Sequence, residues 1–482
     1  MIHKALIIAA GNGSRLTNGK PGDPKPLRKV GGLPLIKRII LSAKKGGITE
    51  FVIVVGYQKE KIISALSREN LGVTLQFVEN PDWKKSNGLS VLAAREVLRE
   101  NFILLMTDHI FDFQTLQKLR AVSLGAHKTI LAVDTKLSTI FDMEDATKVE
   151  AAGGQILKIG KALTEYNAVD TGMFLASPAL FDALEEAKKE GNCSLSDGIQ
   201  LLATRGEMGT FDIGAARWFD VDTPATIKDA EKYLFNICRK STDGLISRHF
   251  NRPISLFISR FLIKTPLSGN QVTGITTLVG ILSGLLTAMG NYTSVAIGAF
   301  LFQLASIMDG CDGEVSKLKM TDSKMGQWLD TISDNFTYLF YIVGVTLGVA
   351  KQGYEPVAIV GTLAIFGLSM TLFVMFYYLI RYTNSGSLIA IQNDFQNQAS
   401  GDKGGLKRFF ASIQFMVKRD FFALVFFTLA IFGGLRAILW LSLIGSNVTW
   451  IVLLSSRLGL LGESPFKSDT VLIEESPDPA SR

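Results

Sequence analysis

The sequence has few cysteines and little net charge, and we expect no cleavable signal segment. Cys193, Cys238 and Cys311 are the cysteines among 482 residues, and their number is odd. Their spacing matches neither a disulfide framework nor a zinc site, so we expect a reducing compartment and no structural zinc. The net charge of +6 is modest for this length, and we expect no nucleic acid partner. The apolar run at the N-terminus is short and breaks into glycine at Gly11, unlike a signal peptide.

Hydropathy divides the chain into a soluble and a membrane part. Residues 1–240 alternate short apolar runs with charged, glycine-rich turns, which is typical of an α/β protein. From Val272 onward, six apolar runs approach the length of about 20 residues that spans a bilayer. We therefore predict a soluble domain over residues 1–240, a linker with an interfacial helix over 241–266 and an all-α domain of six transmembrane helices over 267–462. The acidic, proline-containing tail, 463–482, is predicted to be disordered.

Basic residues concentrate on one set of the predicted loops. Residues 290–293 and 351–355 hold a single lysine between them, whereas 308–329 hold three lysines and 381–420 hold six Lys or Arg. By the positive-inside rule the basic loops are cytoplasmic. We predict a multi-pass protein of the cell (inner) membrane that contacts membrane lipids, with both termini and the active sites on the cytoplasmic side.

The segment before the first predicted span has the pattern of an amphipathic helix. Its apolar residues recur at helical spacing, and basic residues border them: Ile254, Phe257, Ile258, Phe261 and Leu262, with Arg252, Arg260 and Lys264. A soluble packing helix would show the same period. The position just before a span favours a helix that lies in the membrane interface.

The first chemical motif is the glycine turn in AAGNGSRLTNGKPGDPKPL. Gly11 and Gly13 follow an apolar strand, and glycine-rich backbone can wrap its N–H groups around a phosphate. Arg15 and Lys25 are placed to neutralise triphosphate charge, although a plain turn with solvated basic residues would read the same. The third glycine of the dinucleotide fingerprint is missing.

Acidic residues follow two predicted strands in the same half. Asp108 lies in MTDHIF, and Asp220 and Asp222 lie in WFDVDTP. Helix-covered sheets bind ligands at the carboxyl ends of their strands. Two converging carboxylates can hold Mg²⁺ against a triphosphate, while each acid alone is an ordinary loop residue.

AAGNGSRL with the downstream PKPL resembles the nucleotidyltransferases that join an NTP to a phosphorylated sugar, polyol or choline. The resemblance covers about residues 3–235 and implies an α/β, Rossmann-like fold with a mostly parallel sheet. It implies the following roles: Gly11, Gly13, Ser14 and Arg15 cradle the triphosphate, Lys25 stabilises developing charge, Asp108 and Asp222 bind metal, Asn87 and Gly88 lie where the base is read, and Asp170 and Gly172 line the acceptor pocket. Lys158 and Lys161 are candidates for the acceptor phosphate, with solvated lysines as the alternative.

The membrane half carries acids beside its spans. Asp309 and Asp312 are three residues apart, and Asp330 and Asp334 are four apart, so each pair shares one helix face. Carboxylates at membrane depth are costly and mark functional cavities. A two-metal site would relieve their repulsion and clamp a diphosphate, whereas Asp322 reads as a solvated loop acid.

This segment is similar to the CDP-alcohol phosphotransferase pattern, D-x2-D-G-x2-A-R-x8-G-x3-D-x3-D, with Ser316 and Lys317 in place of Ala and Arg. The resemblance covers about residues 245–460. It implies that Asp309, Asp312 and Asp330 bind two metal ions (Mg²⁺ or Mn²⁺), and that Asp334, beside the metals, is the general base. It also implies a nucleotide site formed by Asn270, Thr273, Gly313, Ser316, Lys317 and Gly326. Arg381 is a candidate for the acceptor phosphate, with snorkelling at the interface as the alternative.

The two halves together resemble bifunctional enzymes that make CDP-inositol from CTP and inositol 1-phosphate and then transfer the inositol phosphate to a second inositol 1-phosphate. That family resemblance also implies a homodimer. The alternative is a phospholipid synthase that uses CDP-diacylglycerol and a polyol phosphate, with a nucleotidyltransferase domain that acts on another phosphorylated alcohol. An inactive nucleotide fold on a receptor or carrier is disfavoured by the intact Lys25, Asp108 and acid set.

Overall fold

A computed structural model of the chain describes residues 1–13, 22–140, 142–191, 193–240, 243–382 and 419–457. The chain forms two compact units. Met1–Ile237 together with Leu318–Met320 form the first, and the remaining described residues form the second. The predicted disordered tail and most of the basic segment 381–420 lie outside the described residues.

The first unit is built on a nine-stranded sheet in the part of the chain that is described. The strands are β1 (Lys4–Ala9), β2 (Lys29–Val30), β3 (Leu33–Pro34), β4 (Glu50–Val55), β5 (Thr74–Glu79), β6 (Phe102–Met106), β7 (His109–Phe111), β8 (Thr129–Asp134), β9 (Lys148–Ala152), β10 (Gln155–Gly160), β11 (Ala168–Ala176), β12 (Met208–Asp212) and β13 (Trp218–Asp220). The sheet order is β5-β4-β1-β6-β11-β8-β12-β10-β9, and two small ribbons, β2–β3 and β7–β13, lie beside it.

The sheet is mixed, which differs from the mostly parallel sheet expected. Strands β5, β4, β1 and β6 run parallel, as do β8 and β12. β11 pairs antiparallel with both β6 and β8, and β10 pairs antiparallel with β9 and β12. The physical reason is the connection: β9 and β10 are joined by a two-glycine hairpin turn at Gly153 and Gly154, both with positive φ, and a hairpin reverses the chain.

Helices cover both faces of this sheet. They are α1 (Leu35–Lys45), α2 (Lys59–Ser67), α3 (Asn87–Leu92), α4 (Phe113–Ala121), α5 (Ala179–Lys189), α6 (Leu195–Thr204) and α7 (Pro224–Asn236). The central strands are continuously apolar because both of their faces are covered: KALIIA and FILLM are buried almost throughout. Successive side chains of one strand therefore enter two different cores, as Leu6 and Ile7 do.

The second unit is helical in its described part. Its helices are α8 (Arg252–Leu262), preceded by a π-helical turn at Ser247–Asn251, then α9 (Gly269–Thr287), α10 (Tyr292–Leu318), α11 (Lys324–Lys351), α12 (Val357–Tyr382), α13 (Arg419–Ile431) and α14 (Leu435–Arg457). Three stretches are long and apolar enough to cross a membrane: Tyr292–Leu318, Lys324–Lys351 and Val357–Tyr377. Asp420–Ile431 and Leu435–Ile451 are shorter apolar helices. The six predicted spans are thus supported in part.

Helix α8 turns its polar side inward. Ser255 and Ser259 are 1% and 0% exposed, whereas Phe257 and Phe261 on the other side are 61% and 55% exposed. Arg252, expected at the border of the apolar stripe, is 7% exposed. Leu256 is buried beside the two serines at 7% exposed, so the buried face of α8 is mixed in polarity. The exposed phenylalanines are consistent with the interfacial helix, which stays a prediction.

Candidate active sites

The first candidate site lies where β1, β6 and β13 end. Asp108 comes two residues after β6, and Asp222 comes two residues after β13. β7 pairs antiparallel with β13, with His109 opposite Asp220, and the Val221 N–H donates to the Asp108 carbonyl at 2.9 Å. This short ribbon brings two acids together that lie more than a hundred residues apart in the chain.

Lys25 lies between these two acids. Its Nζ donates to Asp108 Oδ2 at 2.6 Å and also contacts the Asp222 carboxylate. Gly13, with φ +62, lets the glycine turn pass against this lysine, because a Cβ at that position would lie 2.4 Å from Lys25 Cβ. No described residue lies within 4 Å of a Cβ built on Gly11, so the turn is open to the described residues there. Ser14 and Arg15 lie outside the described residues.

The acids around Lys25 form two overlapping groups. Ligand atoms of Asp108, His109 and Asp220 lie within 4.8 Å of one another, as do those of Asp145, Asp220 and Asp222. Within the described part of the chain, one carboxylate oxygen of Asp108 and one of Asp220 are buried without a hydrogen-bond partner. Because Mg²⁺ takes carboxylate oxygens as ligands, these residues fit a divalent cation.

Local charges shift the pKa values of these groups. Burial alone would raise the pKa of Asp108, but the Lys25 ammonium and the His109 imidazole hold it well below its usual range. Burial lowers the pKa of His109, yet the carboxylates of Asp220 and Asp108 raise it to about 9. Burial raises the pKa of Asp170 to about 6, although the Gly172 N–H and His109 act in the opposite direction. The site thus carries closely opposed charges.

A cavity of about 280 Å³ adjoins this cluster. Its lining includes five residues that the sequence analysis assigns to nucleotide, metal or acceptor: Asn87, Asp108, Lys161, Asp170 and Asp222. His109, Asp145, Arg217 and Trp218 line it too and were not among the assigned site residues, and so does Asp220, the acid named beside Asp222 in the sequence analysis. The adjacent motif residues in MTDHIF and WFDVDTP were the signal for most of these.

Lys158 and Gly88 have different surroundings from those expected, and Asn87 makes a packing contact besides lining the cavity. Lys158 is outside the lining of this cavity and pairs with Glu150 at 2.8 Å on the exposed hairpin β9–β10, and its role at the acceptor phosphate stays a prediction. Asn87 Oδ1 accepts the Leu195 N–H at 2.9 Å. A Cβ on Gly88 would lie 2.4 Å from the Cys193 carbonyl oxygen, so this glycine serves close packing of α3.

Gly172 is a glycine for a steric reason. Its φ is +72, and a Cβ there would lie 1.7 Å from His109 Nδ1. Its N–H donates to Asp170 Oδ1 at 2.7 Å. The backbone conformation at Gly172 therefore orients the Asp170 carboxylate and leaves the space that the His109 ring occupies.

The second candidate site lies between α10 and α11. Carboxylate oxygens of Asp309, Asp330 and Asp334 lie within 4.8 Å of one another. One oxygen of Asp330 is buried without a hydrogen-bond partner. Three clustered carboxylates repel one another unless cations lie among them, so these residues also fit divalent metal ions.

Asp312 and Thr273 connect this cluster to α9. Asp312 is 6% exposed, and its Oδ2 accepts the Thr273 hydroxyl at 2.5 Å. Ser268 caps α9 by accepting the Gln271 N–H, which places Thr273 in the second turn of that helix. Thr273 was predicted to contact the nucleotide. In the structure its hydroxyl also hydrogen-bonds Asp312, a predicted metal ligand.

The remaining predicted nucleotide-site residues are the two glycines, Gly313 and Gly326, and the Ser316-Lys317 pair that replaces Ala-Arg of the family pattern. No atom of the described residues lies within 4 Å of a Cβ built on Gly313, which leaves room for a ligand among them, whereas a Cβ on Gly326 would lie 3.0 Å from Asn270 Oδ1. Ser316 packs against Gly269, where a Cβ would lie 1.8 Å from its hydroxyl oxygen. Lys317 is exposed, and Arg381 is exposed in the last turn of α12. The role of Arg381 stays a prediction.

Two family models match the chain in the same order as the two units. The MobA-like NTP transferase domain matches residues 5–200, and the CDP-alcohol phosphatidyltransferase family matches residues 268–454. Together they confirm that the chain is a transferase with a nucleotidyltransferase domain followed by a CDP-alcohol phosphotransferase domain.

Curated relatives match across both domains. The chain is 36% identical to the bifunctional IPC transferase and DIPP synthase of Rubrobacter xylanophilus over 361 residues, which are 73% of this chain and 80% of the relative. It is 34% identical to the protein of the same name from Aquifex aeolicus, over 72% of this chain and 78% of the relative. The solved inositol-1-phosphate CTP transferase from T. maritima aligns with 48% of this chain and 95% of its own, at 29% identity and a TM-score of 0.43. The chain belongs to the family of bifunctional IPC transferases and DIPP synthases.

Proposed function

We propose that this chain carries out two consecutive reactions on inositol 1-phosphate. The first unit transfers CMP from CTP to inositol 1-phosphate and forms CDP-inositol and pyrophosphate. The second unit transfers the inositol phosphate from CDP-inositol to another inositol 1-phosphate and releases CMP. The observation that carries the proposal is the presence of two acid clusters, each in a domain whose family model matches and each with a buried oxygen that lacks a partner.

In the first reaction, a phosphate oxygen of inositol 1-phosphate forms a bond to the α-phosphorus of CTP. The bond from that phosphorus to the bridging oxygen of the β-phosphate breaks, and pyrophosphate leaves. This displacement needs no side-chain nucleophile, because positioning and charge compensation lower the barrier. Lys25 supplies positive charge beside the phosphates, and the open turn at Gly11 offers backbone N–H groups.

Asp108 and Asp222 would hold Mg²⁺ or Mn²⁺ in this site, and Asp220 is near enough to join them. When bound, the cation supplies charge neutralisation at the phosphates. The cavity lined by Asp170, Lys161 and Arg217 receives the acceptor, with Lys161 and Arg217 as its cations. Lys161 is now paired with Asp145 at 2.6 Å, so it must exchange that carboxylate for the acceptor phosphate.

In the second reaction, a hydroxyl oxygen of inositol 1-phosphate bonds to the phosphorus of CDP-inositol that bears the inositol. The bond from that phosphorus to the CMP oxygen breaks, and CMP leaves. Asp334 takes the hydroxyl proton as general base. Asp309, Asp312 and Asp330 would hold the metal ions that grip the diphosphate, and the open face at Gly313 leaves room for the nucleotide.

We also propose the membrane arrangement that the sequence predicts: six spans, both sites at the cytoplasmic side, contact with membrane lipids, and a homodimer. The exposed phenylalanines of α8, Phe257 and Phe261, and the three long apolar helices support membrane embedding. The lysines of residues 308–329 support the cytoplasmic side for the acid cluster.

The test is to incubate the full-length protein in detergent with CTP, inositol 1-phosphate and Mg²⁺ and to follow phosphorus by NMR. Pyrophosphate and CDP-inositol should form first, followed by CMP and a new phosphodiester. Asp334→Ala should stop at CDP-inositol, while Asp322→Ala, an exposed acid in the loop between α10 and α11, should complete both steps.

Other outcomes would replace parts of the proposal. Pyrophosphate release only with another phosphorylated alcohol would refute inositol 1-phosphate as the substrate and leave the two-step scheme. Release of CMP from CDP-diacylglycerol, with no reaction of CDP-inositol, would establish phospholipid synthesis instead.

A further inference from the structure

Three buried charged side chains join the start of α8 to α10. Arg252 donates from Nε and Nη2 to the two carboxylate oxygens of Asp243, at 3.0 and 2.7 Å. Its Nη1 donates to Glu314 Oε1 on α10 at 2.7 Å. The side chains of Arg252, Asp243 and Glu314 are 8%, 9% and 1% exposed. Burial of three charges is costly and adds little net stability, so this ion triad calls for a role beyond stability.

Neutral polar contacts extend the triad along one face of α10. Ser255 Oγ donates to Glu314 Oε1 at 2.6 Å. Just before α8, Asn251 Nδ2 donates to Ser306 Oγ at 3.4 Å, and Asn251 Oδ1 accepts from Gln303 Nε2 at 3.2 Å, about two to three turns before Glu314 on α10. Gln303, Ser306 and Glu314, with Gly310 between them, recur every three or four residues and therefore share one face.

Gly310 shows how close the two helices lie at the triad. A Cβ on Gly310 would lie 3.1 Å from Ser255 Oγ and 3.2 Å from Arg252 Nη1. The guanidinium fork thus occupies the space beside α10 that a side chain at position 310 would take. A lysine at position 252 would lose the planar fork that meets two carboxylates at once.

The metal-binding acids lie on the other side of the same helix. Glu314 is two residues from Asp312, which is about 200° around an α-helix. The triad therefore contacts the face of α10 that packs against α8, while Asp309 and Asp312 lie on the opposite face. A rotation or axial shift of α10 would move both acids relative to Asp330 on α11.

We propose that Arg252, Asp243 and Glu314 are positioning residues for the phosphotransfer site. They set the rotation and height of α10, and thereby the spacing between the acids of α10 and those of α11. The inference rests on the proposed phosphotransfer reaction. Groups that orient metal ligands from behind are worth about 10–100-fold in metal affinity or activity.

The test compares Arg252→Lys and Glu314→Gln with wild type as full-length protein in detergent. CMP release from CDP-inositol is measured across a Mg²⁺ titration, and pyrophosphate release by the first unit serves as the internal control. We expect the half-saturating Mg²⁺ concentration for CMP release to rise by about 10–100-fold, with pyrophosphate release unchanged. The matched control is Arg260→Lys, the same exchange at an exposed position of α8, which should leave both activities unchanged.

A second readout does not depend on turnover. Mn²⁺ binding is followed by electron paramagnetic resonance in an Asp222→Asn background, which weakens the other candidate metal site. Arg252→Lys should shift the binding curve to higher Mn²⁺, and Arg260→Lys should not.

Unchanged metal dependence, with CMP release lowered only in proportion to the folded fraction from size-exclusion chromatography, would overturn the inference and leave an ordinary structural ion triad. Wild-type CMP release by Arg252→Lys would overturn it as well. Failure of wild type itself to release CMP from CDP-inositol would instead refute the proposed reaction, so the two failures are distinguishable.

Discussion

The substitution Gly344→Ala separates helix packing from helix propensity in the second unit. Gly344 lies on α11, the helix that carries Asp330 and Asp334, and it faces Gly284 of α9. A Cβ on Gly344 would lie 2.3 Å from the Gly284 carbonyl oxygen and 2.9 Å from its Cα. Both partners are backbone atoms of helices, so no side-chain rotation relieves the contact. The helices must separate locally by about 1 Å, which forfeits part of the dispersion attraction along their seam.

Two effects of opposite sign act on this variant. Alanine is a better helix former than glycine by about 1 kcal/mol, while overpacking of this kind costs about 1–3 kcal/mol. Gly274→Ala on α9 isolates the first effect, because a Cβ there meets none of the described residues within 4 Å. The difference between the two variants is therefore the packing term alone. We expect Gly344→Ala to be less stable than Gly274→Ala by about 1–3 kcal/mol.

The assay is thermal unfolding of both full-length variants in one detergent, with CMP release measured alongside. At about 2–4 °C per kcal/mol for a unit of this size, the midpoints should differ by roughly 5 °C. We also expect slower CMP release by Gly344→Ala, because displacement of α11 moves two acids of the cluster, and unchanged pyrophosphate release. Equal midpoints for the two variants would refute the close approach of α9 and α11.

Three further predictions concern the first unit and the metals. Gly172→Ala should raise the KM for inositol 1-phosphate and lower pyrophosphate release, because the new Cβ displaces His109 and a positive φ costs about 1–2 kcal/mol. The control is Gly153→Ala, which has φ +61 and no described residue within 4 Å of its Cβ. It carries the same backbone strain and should keep the KM. Lys25→Met should slow pyrophosphate release by about 10²–10³-fold through lost charge stabilisation and leave CMP release from added CDP-inositol intact; loss of both activities would contradict separate sites. Removal of divalent cations by EDTA should stop both reactions and excess Mg²⁺ should restore them, measured by the same phosphorus NMR; persistence of either activity without metal would argue against that acid cluster as a metal site.

Local periodicity carried the sequence predictions that concern the acid cluster of the second unit. Spacings of three and four residues place Asp309 with Asp312 and Asp330 with Asp334 whatever the rest of the chain does, because they follow from helical geometry. The convergence of the two pairs then required only that α10 and α11 be adjacent helices. The cluster of Asp309, Asp330 and Asp334 is the result.

The first site was predictable in its parts and less so in its assembly. The turn at Gly11 and Gly13 and the strand-end acids follow from local sequence. The contact of Lys25 with Asp108 and Asp222 spans 83 and 197 residues of chain, and it depends on the ribbon β7–β13 beside the sheet. Strand direction also depends on the tertiary structure, because both hairpins and long connections join apolar strands. The composition of β11 therefore did not predict its antiparallel pairing.

The sequence by itself determined the two-part organisation, the amphipathic character of α8 and the identity of the acids, since these follow from composition and from periods within single elements. The tertiary structure alone decided the face of α8 that is buried and the partners of Arg252, because Glu314 lies 62 residues further along the chain. A period of apolar residues shows that a helix has two faces. The element that packs against the helix decides which face is buried. Here the buried face includes Arg252, Ser255 and Ser259, because the Arg252 charge is paired with Asp243 and Glu314.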